Sequence, residues 1–160
     1  MTELERKEQE YTQYIEEHIA NVNLAFEKYG HKLCDLLRVP YLILAYKVKE
    51  HDKSKYSEEE FNGYRQWFYP CSDEEKNKEL FDEAWEHHYT TNQHHPKYWM
   101  IDMAPIAIAE MLLDWEAMSM KFGGNTYDYY IKERDKKGFT KKDKKILDVV
   151  VKKIFYKIEG

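Results

Sequence analysis

Apolar positions recur at helical spacing through most of the chain, and the expectation they set is an all-α protein. Residues 3–29 read as one long helix with Ile15, Val22 and Phe26 on its apolar face, closed by Gly30. A short segment covers 32–37. Pro40 then opens a second helix, whose run Tyr41-Leu-Ile-Leu-Ala-Tyr-Lys-Val48 reads as buried. Ser57-Glu-Glu-Glu60 and Ser72-Asp-Glu-Glu75 have the form of a capping box, in which a hydroxyl and a carboxylate three residues on satisfy free amides at a helix start. They predict helices over 57–68 and 72–91. The second of these presents Phe81, Trp85, His88 and Asn92 inward and is stopped by His94-His95-Pro96.

Asp102 is placed to cap the next helix, with Pro105 in its first turn and Gly123-Gly124 at its end. Its apolar stripe is Ala107, Ile108, Met111, Leu112, Trp115 and Met118. Two more helices are expected over 126–137 and 140–158, the last facing inward with Ile146, Val149, Val150 and Ile154. No strand, internal repeat or linker stands out, so residues 1–160 read as a single domain of about six to eight helices.

The informative positions are polar residues that fall on these stripes. His18 lies three residues after Ile15 and four before Val22. His51-Asp52 closes the second helix. Asp114, four residues after Glu110, sits among Ala107, Met111 and Met118. A buried, unpaired carboxylate costs several kcal/mol, so such a residue calls for a metal, a cation or a hydrogen-bond network. Imidazole with carboxylate suits Mn, Fe, Co or Zn. The inward set is then His18, His51, Asp52, His88, Asn92, His94, His95 and Asp114. His31 is the competitor of His18 but follows a glycine outside the periodic face, and His87 does not share the stripe of Trp85 and Asn92. Taken singly, each has a plainer reading: a surface His-Asp dipeptide, a satisfied core histidine, turn residues.

Composition narrows the picture further. The two cysteines, Cys34 and Cys71, form no C-x-x-C pair, which argues against a thiolate zinc site and for a reducing compartment. No apolar run approaches a membrane span and the acidic start resembles no signal peptide, so the expected location is cytoplasmic, away from membranes. Net charge is −5, with +6 in residues 131–160 and −11 in the rest. That basic end could meet nucleic acid, although a solvated helix face offsetting an acidic body is the favoured reading. A homo-oligomer is left open.

The ordered set resembles the HD-domain superfamily of metal-dependent phosphohydrolases, in which a helix histidine precedes a His-Asp pair often written H-D-x-G-K and a distant Asp closes the site. His51-Asp52-Lys53-Ser54-Lys55 matches with Ser in place of Gly. His18 looks like the first histidine and Asp114 like the last aspartate. The segments W-x-x-H-x-x-x-N-x-H-H (85–95) and E-M-x-x-D-W (110–115) resemble more closely an uncharacterised family of bacterial and phage proteins, over most of the chain.

The resemblance implies an HD-like helical fold and one or two divalent ions. His18, His51, Asp52 and Asp114 would hold the first, and His88 with one or both of His94 and His95 the second, bridged by Asp52. It implies hydrolysis of a nucleotide or other small phosphate ester by a metal-activated water, with Asp52, Lys55 and His88 at the chemistry. Lys55, Arg65 and Lys97 would contact phosphate. The alternatives are an HD-type di-iron oxygenase and a non-catalytic helical interaction protein with a structural or degenerate metal site. A ferritin-like di-iron bundle is set aside, because no histidine has a Glu three positions before it.

Overall fold

Seven α-helices and no strand occur among the described residues, 1–96 and 101–157, of this computed structural model. They are α1 (Glu3–Leu37), α2 (Tyr41–Lys49), α3 (Phe61–Phe68), α4 (Lys78–Thr91), α5 (Pro105–Phe122), α6 (Thr126–Glu133) and α7 (Lys141–Phe155), with a 3-10 turn at Lys53–Tyr56. The all-α expectation holds. The chain forms two compact units: Met1–Ile19 with Asp52–Asn92, and Ala20–His51 with Gln93–Gly160. No helix among the described residues is long and apolar enough to cross a membrane.

In the first unit, Tyr11 and Ile15 of α1 pack with Tyr64 of α3 and Ala84 of α4, flanked by Tyr14, Phe61, Tyr69 and Phe81. Helices α3 and α4 meet backbone to backbone at Gly63. A Cβ there would stand 2.6 Å from the Leu80 carbonyl oxygen and 2.8 Å from the Ala84 Cβ. In the second unit, Val22, Ala25, Tyr29 and Leu33 of α1 join Leu44 and Val48 of α2. The same core takes the α5 stripe and Leu147, Val150, Val151 and Phe155 of α7.

Several boundaries differ from the sequence expectation, each for a local reason. Helix α1 runs through Gly30 to Leu37. The Phe26 ring lies over that glycine, where a Cβ would meet it at 2.7 Å, so Gly30 marks a close approach and not an end. The helix stops instead at Arg38, in the left-handed region with φ 55°, two residues before Pro40. Helix α2 is buried on one side only: Leu44 and Val48 face the core, while Leu42 is 79% exposed and Tyr46 62%. On α5, Met118 is half-exposed at its expected inward position, and on α7 Val149 is exposed while Leu147 takes the core.

Both capping boxes are dismantled by tertiary contacts. Ser57 closes the 3-10 turn, its N–H donating to the Ser54 carbonyl at 2.9 Å, and Glu60 is drawn into the interior. Helix α3 therefore starts at Phe61. The N–H and hydroxyl of Ser72 donate to the Glu3 carboxylate at 2.9 and 2.8 Å. Helix α4 starts six residues later, where the Asn77 side chain accepts the Leu80 N–H. Asp102 accepts the Thr140 hydroxyl at 2.6 Å, leaving Ala104 to precede Pro105, and Thr140 itself caps α7. Gly123, with φ 83°, ends α5 as expected.

Glu74 is taken by Arg65, whose two terminal nitrogens donate to its two oxygens at 2.6 and 2.8 Å. This corrects the phosphate role expected for Arg65, because a buried guanidinium forked onto a carboxylate has its terminal nitrogens committed. The Arg65 side chain, followed by the Cys71 N–H, holds the Glu74 carboxyl far below its ordinary 4.5. A carboxylate depressed on folding stabilises above its unfolded pKa, and that contribution is lost as pH falls. Arg65→Ala is expected to cost about 2 kcal/mol at pH 7. The gap between urea titrations of variant and wild type should begin to narrow below pH 4.5 and keep closing as pH falls further; a constant gap would show that the pair is not its source.

Candidate metal centre

Asp52 heads the 3-10 turn with φ 55° and ψ 16°. A left-handed backbone is uncommon for a residue with a Cβ, and Asp is among the few that tolerate it. The conformation turns a buried carboxylate toward three cationic or imidazole groups of the same unit. Its Oδ2 lies 3.1 Å from the Lys55 Nζ and 3.5 Å from the His18 Nε2, and its Oδ1 lies 3.4 Å from the His88 Nε2. Lys55 comes back to Asp52 because it is three residues on in a 3-10 turn. His18 arrives on the α1 stripe and His88 on the inner face of α4, as their spacing predicted.

Behind His88 stands Glu60, with no exposed surface. Its Oε1 is 2.7 Å from the His88 Nδ1, and its Oε2 is 2.6 Å from the Nδ1 of His87. A carboxylate only accepts, so each of these Nδ1 atoms carries a proton. Burial by itself raises the Glu60 carboxyl; hydrogen bonds and charge from His88, with bonds from Ser54 and His87, outweigh it and leave the group below its ordinary value.

The second unit repeats the device. The Oε2 of Glu110 on α5 accepts from His51 Nδ1 at 2.9 Å, and the His94 Nδ1 lies 2.6 Å from it. Burial pushes this carboxyl up, but the hydrogen bonds from His51 and His94 prevail and hold it at about 2. One turn along α5, Asp114 places its Oδ1 3.3 Å from the His51 Nε2. Ligand atoms of His51, His94 and Glu110 lie within 4.8 Å of one another, and the His95 ring packs 4.2 Å from that of His94.

This donor set suits a metal on chemical grounds. When such a ring is neutral, with its proton on Nδ1, an Nε2 lone pair turns outward. For His88 that lone pair faces Asp52, and for His51 it faces Asp114, in both cases acceptor against acceptor. A cation between them relieves the repulsion. The separations of 3.3–3.5 Å exceed those of ordinary hydrogen bonds. Ligand bonds of 2.0–2.1 Å to a tetrahedral ion put neighbouring donor atoms roughly 3.3 Å apart. Among the described residues, buried His/Asp/Glu clusters could therefore hold a metal ion.

The structure gathers His18, Asp52, Lys55 and His88 in the first unit and His51, His94, His95 and Asp114 in the second. His31 is exposed and stacks on Tyr41, with ring centroids 4.3 Å apart. Lys97 lies outside the described residues. Sequence reasoning missed the two glutamates. Glu60 was spent on a capping box. Glu110 had a visible signal, since two acids one turn apart on an apolar stripe need more than one partner.

Fold and site together define an all-α protein with buried histidine–carboxylate clusters. Residues 7–156 match a family of unknown function, DUF5662, and the chain belongs to it. No curated protein and no solved structure matches the chain.

Proposed function

We propose that the chain is a metal-dependent phosphohydrolase of HD-domain type, acting on a nucleotide or other small phosphate ester. The observation that carries the reading is the facing of imidazole Nε2 atoms and carboxylate oxygens described above. The four residues that the HD resemblance assigns to one ion divide into two pairs. His18 and Asp52 stand 3.5 Å apart, and His51 and Asp114 stand 3.3 Å apart, each pair at a ligand-to-ligand spacing. A divalent ion held at such a pair would supply Lewis acidity and lower the pKa of a bound water toward neutrality.

The chain's own residues do the rest. Asp52 orients its carboxylate through His18, His88 and Lys55. The Lys55 ammonium, half-buried beside Asp52, stabilises the developing charge on phosphoryl oxygens. His88 offers its Nε2 beside Asp52 as a further ligand, and His94 and His95 offer imidazole donors in the second unit.

The reading is tested by incubating metal-loaded protein with nucleoside mono-, di- and triphosphates and simple phosphate esters and following phosphate release. Turnover is expected with at least one of Mn, Fe, Co or Zn and should vanish in Asp52→Asn. Release that survives this substitution would overturn it. Bound metal with no turnover across the panel would favour the structural-site alternative.

A further inference from the structure

The serine of His51-Asp52-Lys53-Ser54-Lys55 stands where the HD pattern usually has glycine, and the structure gives that hydroxyl a place. Ser54 Oγ accepts a hydrogen bond from the Asn92 side-chain nitrogen at 2.8 Å and hydrogen-bonds the Glu60 carboxylate. The same Asn92 nitrogen donates to the His88 carbonyl at 2.9 Å, closing the C-terminal end of α4 over the histidine. Ser54 Oγ also lies 3.4 Å from the His88 Nδ1, whose shorter contact is the 2.7 Å bond to Glu60. Glu60 is thus held on one oxygen by His88, on the other by His87, and from the side by Ser54.

We infer that Glu60 is a positioning residue that fixes the ring orientation and tautomer of His88, and that Ser54 and Asn92 hold this carboxylate and helix end in place. With Nδ1–H committed to Glu60, a neutral His88 presents its Nε2 lone pair to Asp52 Oδ1. A histidine free to flip or to take the other tautomer would present N–H there half the time or more and could not serve as a ligand. Carboxylates that orient metal-ligating histidines in this way typically govern metal affinity 10–100-fold. The paired histidines in Trp85-Glu-His-His88 acquire distinct jobs: His88 points inward, and His87, about a third exposed, occupies the second oxygen of Glu60. The assignment depends on the metal reading only for its affinity consequence, not for the tautomer.

Two measurements separate these. In metal-free protein labelled with 15N-histidine, His88 is expected as the Nδ1–H tautomer. That signature should be lost in Glu60→Ala and largely restored in Glu60→Gln, whose amide oxygen still accepts. In Co2+ titrations, affinity should fall about 10–100-fold in Glu60→Ala, recover in part in Glu60→Gln, and fall by a smaller factor in Ser54→Gly. Should Glu60→Ala fail to fold, Glu60→Gln and Ser54→Gly carry the same test, with the thermal melt checking the fold. An unchanged His88 tautomer in folded Glu60→Ala, or Co2+ affinity equal to wild type across the variants, would overturn the inference. Wild type that binds no Co2+ at all would count against the metal reading alone, and the tautomer would still decide the role of Glu60.

Discussion

Protein purified without a histidine tag or chelator should carry one or two equivalents of Mn, Fe, Co or Zn, and Asp52→Asn and Asp114→Ala should each lower that content. The two substitutions act on separate carboxylates, one facing His18 and His88 and the other facing His51. Asparagine is the better replacement at 52, because it shares the tolerance of Asp for the left-handed backbone there. Loss of metal in Asp52→Asn then reports loss of a charged donor and not collapse of the turn. Removing either carboxylate leaves its facing imidazole with a site of lower charge and one donor fewer. Elemental analysis decides the matter. Metal absent from wild type, and not taken up on soaking, would sink the enzyme reading and leave a helical protein whose histidine clusters are structural.

The second large effect is on stability. Glu110→Ala should lower thermal stability by about 3 kcal/mol, because it strips one acceptor from two buried imidazole N–H groups at once. For a chain of this length that is roughly 6–12 °C in melting temperature. Glu110→Gln should lose less, since an amide oxygen can still accept from one of the two rings. Differential scanning calorimetry on metal-free protein separates this packing role from any metal contribution. If Glu110→Ala melts with wild type, His51 and His94 find acceptors elsewhere and Glu110 does not hold them.

How far the sequence revealed this protein depends on which interaction decides each residue. His18, His88 and Asp114 were legible because a polar side chain on an apolar stripe is conspicuous at helical spacing, and α1, α4 and α5 have the periodicity that places them. The left-handed turn at Asp52 was not, because nothing local separates an Asp in that conformation from one in an ordinary turn. Glu60 and Glu74 misled for one reason. Each completes a capping pattern, but a pair of imidazoles and a guanidinium bind a carboxylate more strongly than a helix amide does, and the helices start later as a result. Arg65 looked available for phosphate because sequence does not disclose a partner nine residues away. The one-sided burial of α2 was hidden by its uniformly apolar composition, which carries no period from which a face could be read.

Gly63 has a consequence beyond the packing it permits. The contact of α3 with Leu80 and Ala84 falls three residues after Glu60 on one side and four residues before His88 on the other. One turn of helix therefore separates the point where two backbones touch from the 2.7 Å bond between those side chains. The absent side chain at 63 works as a gauge block: it sets the spacing of two helices, and their spacing sets the alignment of a proton with a lone pair. An alanine there would be read out at His88, where a shift of a few tenths of an ångström lengthens the bond that orients the ring. A glycine with no chemistry of its own thereby governs the tolerance to which the site is built.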